Sequence, residues 1–168
     1  MKNDPCAACR TLELASEEDT GRLARALAAA LAARAGAVAR SGFNLRLTGD
    51  LGAGKTALTR AMLRALGVAG RVRSPTFELV EDYDVLDGAA FHHFDFYRFA
   101  SPEEFEEAGF RDLFGPGRVT ACEWSEKAGP YLPAADLEIE LTVQGAGRRA
   151  RVAALSALGE EVLAEALA

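Results

Sequence analysis

The chain has 168 residues and a formal net charge of −6, with 49% hydrophobic and 26% charged residues. These values are typical of a single soluble globular domain, and the negative charge disfavours unaided binding to RNA or DNA, which depends on a basic surface. No apolar run approaches the ~20 residues needed to span a bilayer, and residues 1–20 lack the apolar block of a secretion signal. We therefore expect a cytoplasmic protein with no membrane contact.

Residues 1–10 are expected to form a flexible tail, with the domain spanning residues 11–168. Cys6 and Cys9 lie in that tail. Their spacing occurs in zinc sites and redox pairs, but a zinc site needs four ligands, and neither a second cysteine pair nor a nearby histidine accompanies them. The sequence does not predict a metal site there.

The first predicted helix begins near Ser16, with Asp19 three residues later, as in an N-terminal capping motif. Leu23, Leu27 and Leu31 follow at helical spacing on one stripe. The alanine-rich residues 24–39 continue the same amphipathic pattern. We expect this helix to end between Gly36 and Gly42.

The next segment, residues 43–66, carries the most specific motif of the chain. Residues 49–56 read GDLGAGKT and match the phosphate-loop pattern G-x-x-x-x-G-K-[ST] at every fixed position. Alternating apolar residues precede the loop and apolar residues at helical spacing follow it, which is the strand–loop–helix setting that the motif requires. Lys55 is predicted to contact the outer phosphates of a nucleotide, and the Thr56 hydroxyl to bind Mg²⁺.

Patterns of the same kind predict the remaining elements. Ser101 and the Pro-Glu-Glu that follows it are a helix start, because serine is a cap and proline suits the first helical position. The other predicted elements are a connection at 67–75, an extended segment at 77–83, strands at 89–99 and 119–124, a hairpin formed by 137–143 and 149–155 around a turn at 145–147, and a last helix ending at Ala168. This order predicts an α/β fold: a single P-loop NTPase-like domain with a mixed β-sheet flanked by helices and a late antiparallel hairpin.

Two acidic residues are candidates to complete a phosphate site. Glu123 ends a predicted buried strand, where a carboxylate would face the phosphates; the alternative is an acid at an exposed strand end. Asp95 shares one strand face with His93 and Tyr97. It is a candidate for Mg²⁺ contact or water activation, the alternative being a structural ion pair with Arg98.

Two further features are less specific. In residues 74–77 (SPTF), Pro75 stiffens a loop in which Thr76 is placed to sense a terminal phosphate; by spacing alone this is only a turn. The basic clusters Arg71 with Arg73, and Arg148, Arg149 and Arg151, are interpreted as a phosphate-side loop and a solvated strand end.

In this order and spacing, four motifs resemble the TsaE (YjeE) family, small bacterial ATPases of tRNA threonylcarbamoyladenosine biosynthesis. The motifs are residues 49–56 (GDLGAGKT), 74–77 (SPTF), 93–98 (HFDFYR) and 123–124 (EW), and the resemblance spans about residues 12–152. It implies that ATP and Mg²⁺ bind, with Asp95 and Glu123 as catalytic acids and Glu123 and Thr56 on the metal side. The nucleotide-binding residues that it implies are Asp50, Leu51, Gly52, Ala53, Gly54, Lys55, Thr56, Thr76 and Trp124.

The resemblance also implies partners. Proteins of this family act with TsaB and TsaD, and TsaD transfers a threonylcarbamoyl group to the adenosine beside the anticodon of tRNAs reading codons that begin with A. The ATPase is thought to reset that complex, so contact with tRNA would be indirect, in line with the acidic charge. The sequence departs from the family in its cysteine-containing tail and in the polar residues Asn44, Arg46 and Thr48 of the strand before the loop.

Two other functions use the same loop. One is a small-molecule kinase, although the chain has no arginine-rich insertion that would act as a lid. The other is a nucleotide switch that binds ATP without hydrolysing it. The sequence alone does not separate the switch from a slow, partner-stimulated ATPase.

Overall fold

The computed structural model describes residues 8–73, 75, 79–86 and 88–168. Within these ranges the strands are β1 (Ala8–Leu14), β2 (Phe43–Thr48), β3 (Val80–Val85), β4 (Ala89–Asp95), β5 (Arg118–Glu123), β6 (Leu137–Gln144) and β7 (Gly147–Ala154). The α-helices are α1 (Glu17–Ala32), α2 (Ala35–Ser41), α3 (Lys55–Ala65), α4 (Glu103–Glu107) and α5 (Ala157–Ala166), and short 3₁₀ helices span Phe110–Leu113, Ser125–Lys127 and Gly129–Tyr131.

All these strands form one mixed sheet in the order β1-β7-β6-β2-β5-β4-β3. The pairs β6–β2, β2–β5 and β5–β4 are parallel, whereas β3 pairs antiparallel with β4, and β7 pairs antiparallel with both β6 and β1. The carboxyl ends of β2, β5 and β4 therefore meet at one edge, where a parallel α/β sheet binds its ligands. In the register of that edge, Glu123 is the partner of both Leu47 and Asp95.

Two hydrophobic cores cover the sheet. The larger one packs α1, α3 and α5 against the sheet, and it buries the predicted leucine stripe of α1 together with Phe43, Leu45 and Leu47 of β2. The smaller core lies on the other face of β4 and β5, under α4 and the 3₁₀ helices. It contains Phe94, Phe96, Phe99, Phe105, Cys122, Ala128 and Leu132.

The predicted fold class is confirmed, including the mixed sheet and the late hairpin of β6 and β7. Ser16 caps α1 as predicted, since its side chain accepts a hydrogen bond from the backbone N–H of Asp19. At α4 only the glutamate half of the predicted capping motif is present, since the Glu104 carboxylate accepts from the N–H of Ser101. The prediction of Ser101 as the cap is wrong: Pro102 is the N-cap residue, no side chain caps the helix, and α4 begins at Glu103. Asn44, Arg46 and Thr48 are partly exposed, as expected from their polarity.

Three differences from the sequence predictions are larger than two residues. Residues 8–10, assigned to the tail, belong to β1, which pairs with β7. The stretch predicted as one helix over 24–39 forms two helices, because α1 ends at Ala32 and α2 begins at Ala35. β4 ends at Asp95 rather than continuing to residue 99.

Among the described residues, no helix is long and apolar enough to cross a membrane.

Candidate functional site

The phosphate-loop motif connects the buried end of β2 to the first turn of α3. Gly49, Gly52 and Gly54 all have positive φ angles, of 143°, 81° and 107°, which glycine adopts more readily than other residues. At Gly49 a side chain is also excluded by space, since a Cβ would lie 2.4 Å from the carbonyl oxygen of Leu141 in β6. The loop is therefore fixed against the sheet at its start.

The middle of the loop projects outward. Asp50, Leu51 and Gly52 are exposed, Leu51 at 80% of its surface, whereas Ala53 is buried. The Ala53 N–H donates to the carbonyl oxygen of Asp50 at 3.0 Å and closes the turn. Gly54 then stands at the N-terminus of α3, where the free N–H groups of a helix attract an anion.

Lys55 is held inside the site. Its side chain is only 5% exposed, and Nζ donates to the carbonyl oxygen of Gly49 at 2.5 Å. The same ammonium lies 4.0 Å from the centre of the Trp124 ring, a cation–π contact. Tyr97 packs beside Trp124, with ring centres 5.0 Å apart. These contacts bring together a loop lysine and a tryptophan that are 69 positions apart in the sequence.

Thr56, Glu123 and His93 form a connected group beneath the loop. The Thr56 hydroxyl donates to Glu123 Oε2 at 3.0 Å, and His93 Nε2 lies 2.6 Å from the same oxygen. Because a carboxylate oxygen accepts, Nε2 of His93 is the donor in this contact. Glu123 and His93 are 3% and 1% exposed, so the alternative of an acid at an exposed strand end is wrong.

Asp95 lies at the end of β4, beside Glu123 on β5. Its carboxylate accepts the Tyr97 N–H at 2.9 Å. Partial burial, with a smaller contribution from the neighbouring charge of Glu123, raises the pKa of Asp95 above its ordinary value, although the Tyr97 N–H, His93 and Lys55 act in the opposite direction. A carboxylate whose pKa is raised accepts a proton more readily than an exposed one.

Arg148 is a loop contact that the sequence analysis missed. It was interpreted as part of a solvated strand end, but its guanidinium donates to the carbonyl oxygens of Ala53 at 2.9 Å and Gly52 at 3.3 Å. The sequence of β7 did indicate this contact, because Arg148, Ala150 and Val152 follow at intervals of two residues and the latter two are buried. Residues of one parity share a sheet face, which here is the face toward the helices and the loop.

Two cavities open beside the loop. The larger, of about 480 Å³, lies between the start of α1, the start of α3 and the turn between β6 and β7; its lining includes Thr20, Gly54, Ala57, Arg60 and Arg148. The second, of about 430 Å³, is lined by Thr48, Asp50, Trp124, Glu126 and Glu140, among others. The predicted phosphate-sensing residue Thr76 lies outside the described residues, and so do Ser74 and Phe77.

Comparison with known proteins identifies the family of this chain. The family model described as "Threonylcarbamoyl adenosine biosynthesis protein TsaE" matches residues 14–151. The tRNA threonylcarbamoyladenosine biosynthesis protein TsaE of Haemophilus influenzae is 44% identical over 117 residues, which cover 70% of this chain and 73% of that protein. The protein of the same name from Bacillus subtilis is 36% identical over 141 residues, covering 82% and 85%.

A solved structure supports the same fold. The crystal structure of Bacillus subtilis YdiB superposes with a TM-score of 0.70 at 24% identity, covering 95% of this chain and 94% of that one. The family match extends over β2, the phosphate loop, β4, β5 and most of the hairpin, and so includes all the site residues described above. The chain belongs to the TsaE family of tRNA threonylcarbamoyladenosine biosynthesis proteins.

Proposed function

We propose that this chain is a cytoplasmic, magnesium-dependent ATPase. It hydrolyses ATP in support of a TsaB–TsaD complex, which forms threonylcarbamoyladenosine next to the anticodon of tRNAs that read codons beginning with A. The observation that carries the proposal is the meeting of the loop residue Thr56 with Glu123 at 3.0 Å, next to the buried Lys55. A phosphate loop alone indicates nucleotide binding, whereas a carboxylate bonded to the loop threonine supplies the acid that phosphoryl transfer also requires.

The residues present fit Mg²⁺. The Thr56 hydroxyl and the Glu123 carboxylate are hard oxygen donors of the kind that Mg²⁺ prefers, and their hydrogen bond places them within reach of one ion. Bound together with ATP, Mg²⁺ would neutralise charge on the phosphate oxygens. The proposed metal ligands of this chain are therefore Thr56 and Glu123.

The other residues of the site have separate roles in this proposal. Lys55 supplies positive charge to the outer phosphates after leaving the carbonyl of Gly49, and free backbone N–H groups of the loop and of the start of α3 surround the phosphates. Asp95, whose pKa is raised by burial, orients the attacking water and accepts its proton. Trp124 forms a wall beside Lys55.

The larger cavity is the place that we assign to the nucleoside. It adjoins Gly54 and Ala57 at the start of α3, so a nucleotide with its phosphates in the loop would extend into it. Its volume of about 480 Å³ lies in the usual range for a small-molecule site. The preference for adenine rests on family membership.

The proposal is tested by ATP hydrolysis. The purified chain is assayed with Mg²⁺ alone, and then with TsaB, TsaD and a substrate tRNA, using Lys55→Ala as the control. We expect weak activity alone, clear stimulation by the partners and none with Lys55→Ala, because the outer phosphates would lose their main counter-charge.

Other outcomes would select the alternatives. Tight ATP binding without hydrolysis under any condition would refute the ATPase and favour the nucleotide switch. Transfer of the terminal phosphoryl group to an acceptor other than water would favour the kinase. Unchanged ATP affinity in Lys55→Ala would overturn the assignment of the phosphate loop itself.

A further inference from the structure

The guanidinium of Arg148 is bonded to the backbone of the glycine loop, not to another side chain. Nε donates to the carbonyl oxygen of Ala53 at 2.9 Å, Nη2 to that of Gly52 at 3.3 Å, and Nη1 to that of Gly147 at 2.9 Å. A planar guanidinium offers several N–H donors in a fixed arrangement, so it defines the direction of the groups that accept from it. One side chain thus fixes two successive carbonyls of the loop.

Fixing the carbonyls of Gly52 and Ala53 also fixes the N–H groups of the two residues that follow them, Ala53 and Gly54. The peptide bond is planar and trans, so the N–H of each following residue points opposite to the carbonyl of the residue before it. With the Ala53 carbonyl turned toward Arg148, the Gly54 N–H points to the opposite side, away from the guanidinium. Backbone N–H groups of such loops are the groups that surround a phosphate.

Arg148 is itself held in place by its strand. β7 lies between β1 and β6, and in this register Arg148 is the partner of Leu14 on one side and Val143 on the other. The preceding Gly147 has no room for a side chain, since a Cβ would lie 2.6 Å from the carbonyl oxygen of Leu14. The base of Arg148 is therefore rigid, as a residue that orients a loop requires.

We propose that Arg148 is a positioning residue of the nucleotide site, which holds the glycine loop in the conformation that receives phosphate. This inference deepens the proposed function and rests on it. Without Arg148 the loop carbonyls rotate more freely, and part of the binding energy of a nucleotide is spent on ordering the loop. Arg148 takes no part in the chemical step. Because it also lines the cavity assigned to the nucleoside, a readout of the loop in the absence of nucleotide is needed beside ADP affinity.

The experiment separates geometry from charge. ADP affinity is measured by calorimetry without Mg²⁺ for the wild type, Arg148→Ala, Arg148→Lys and Arg149→Ala. Lysine keeps the positive charge but lacks the fixed pair of donors. Arg149 is the matched control, because it is the adjacent arginine and bonds the Glu13 carboxylate instead of the loop.

We expect Arg148→Ala and Arg148→Lys to weaken ADP binding by about tenfold, the size of effect that loss of one charged hydrogen bond produces, while Arg149→Ala binds normally. Normal affinity in Arg148→Lys would show that only the charge matters and would overturn the positioning role. Normal affinity in Arg148→Ala would overturn it as well.

A second readout needs no nucleotide. Exchange of the Ala53 amide hydrogen, which is bonded to the Asp50 carbonyl within the loop, is measured in the free protein. We expect it to be several-fold faster in Arg148→Ala than in Arg149→Ala, with unchanged melting temperatures. Equal exchange rates would refute the inference. Failure of the wild type to bind ADP would refute the proposed function, and the exchange experiment would still test whether Arg148 orders the loop.

Discussion

Replacing His93 with alanine tests how Glu123 is held. His93 Nε2 lies 2.6 Å from Glu123 Oε2, and both side chains are almost fully buried. A hydrogen bond to a charged group contributes roughly 1.5–3 kcal/mol, and the deleted imidazole also leaves a cavity. We therefore expect His93→Ala to lower the free energy of unfolding by about 3 kcal/mol.

For a chain of this length, each kcal/mol shifts the melting temperature by about 2–4 °C, so His93→Ala should melt about 6–12 °C lower, as measured by calorimetry. The carboxylate of Glu123 would keep Thr56 as a hydrogen-bond donor but lose the contact that sets its rotation. Removing such a partner of a metal ligand typically weakens metal binding about 10–100-fold. The half-saturating Mg²⁺ concentration for ATP hydrolysis should rise accordingly, and His93→Gln should retain part of the function.

The adjacent histidine is the matched control. His92 is also buried, but it faces the other side of the sheet and bonds Asp82 and Arg118. His92→Ala should therefore lower the melting temperature without changing the Mg²⁺ dependence. If His93→Ala has the Mg²⁺ dependence of the wild type while it melts lower, His93 serves only packing and the reasoning is refuted.

Three further predictions follow from burial and space. Burial raises the pKa of Asp95, so the native state binds its proton more tightly than the unfolded state, and stability falls as pH rises above the ordinary value of 3.8. Asp95→Asn should remove the part of the pH dependence of stability that Asp95 causes, and it should abolish ATP hydrolysis. If urea unfolding between about pH 4 and pH 7 gives the same pH–stability curve for Asp95→Asn and the wild type, the prediction is wrong. Burial raises the pKa of the Cys122 thiol to about 12, so at neutral pH iodoacetamide should label it only after unfolding. Labelling is detected by peptide mapping, and labelling of Cys122 in the folded protein would disprove its burial. Gly49→Ala should lose ADP binding in calorimetry and should lower the free energy of unfolding by at least about 1 kcal/mol. Gly52→Ala, with nothing within 4 Å of its Cβ, should lower the free energy of unfolding by less. Equal losses of stability would count against the close approach of Gly49 to Leu141.

Local patterns predicted the elements whose determinants lie close together in the sequence. The glycine loop, the strand before it and the helix after it were all read from residues 43–66, and the cap of α1 from Ser16 and Asp19. The position of Glu123 was also predicted, because the apolar residues before it indicated a buried strand, although the sequence left an exposed strand end open as the alternative. The fold class followed from the order of these elements.

Features that depend on distant residues were not predicted. β1 is a short strand whose pairing partner, β7, follows it by more than 130 positions, so its own seven residues gave only a weak signal. The break between α1 and α2 contains neither proline nor glycine, the usual signs of a helix end. Arg148 is separated from Ala53 by 95 positions and from Gly52 by 96 positions in the sequence. Its contact with the loop depends on the register of the β6–β7 hairpin, which local patterns do not give.

The strand order sets when the site can form during synthesis on the ribosome. β2, which leads into the phosphate loop, lies between β5 and β6, both of which are made much later. Arg148, which bonds the loop, follows later still. A nascent chain that has just released the phosphate loop therefore lacks the neighbours of that loop, and the nucleotide site is among the last parts of the protein to be completed.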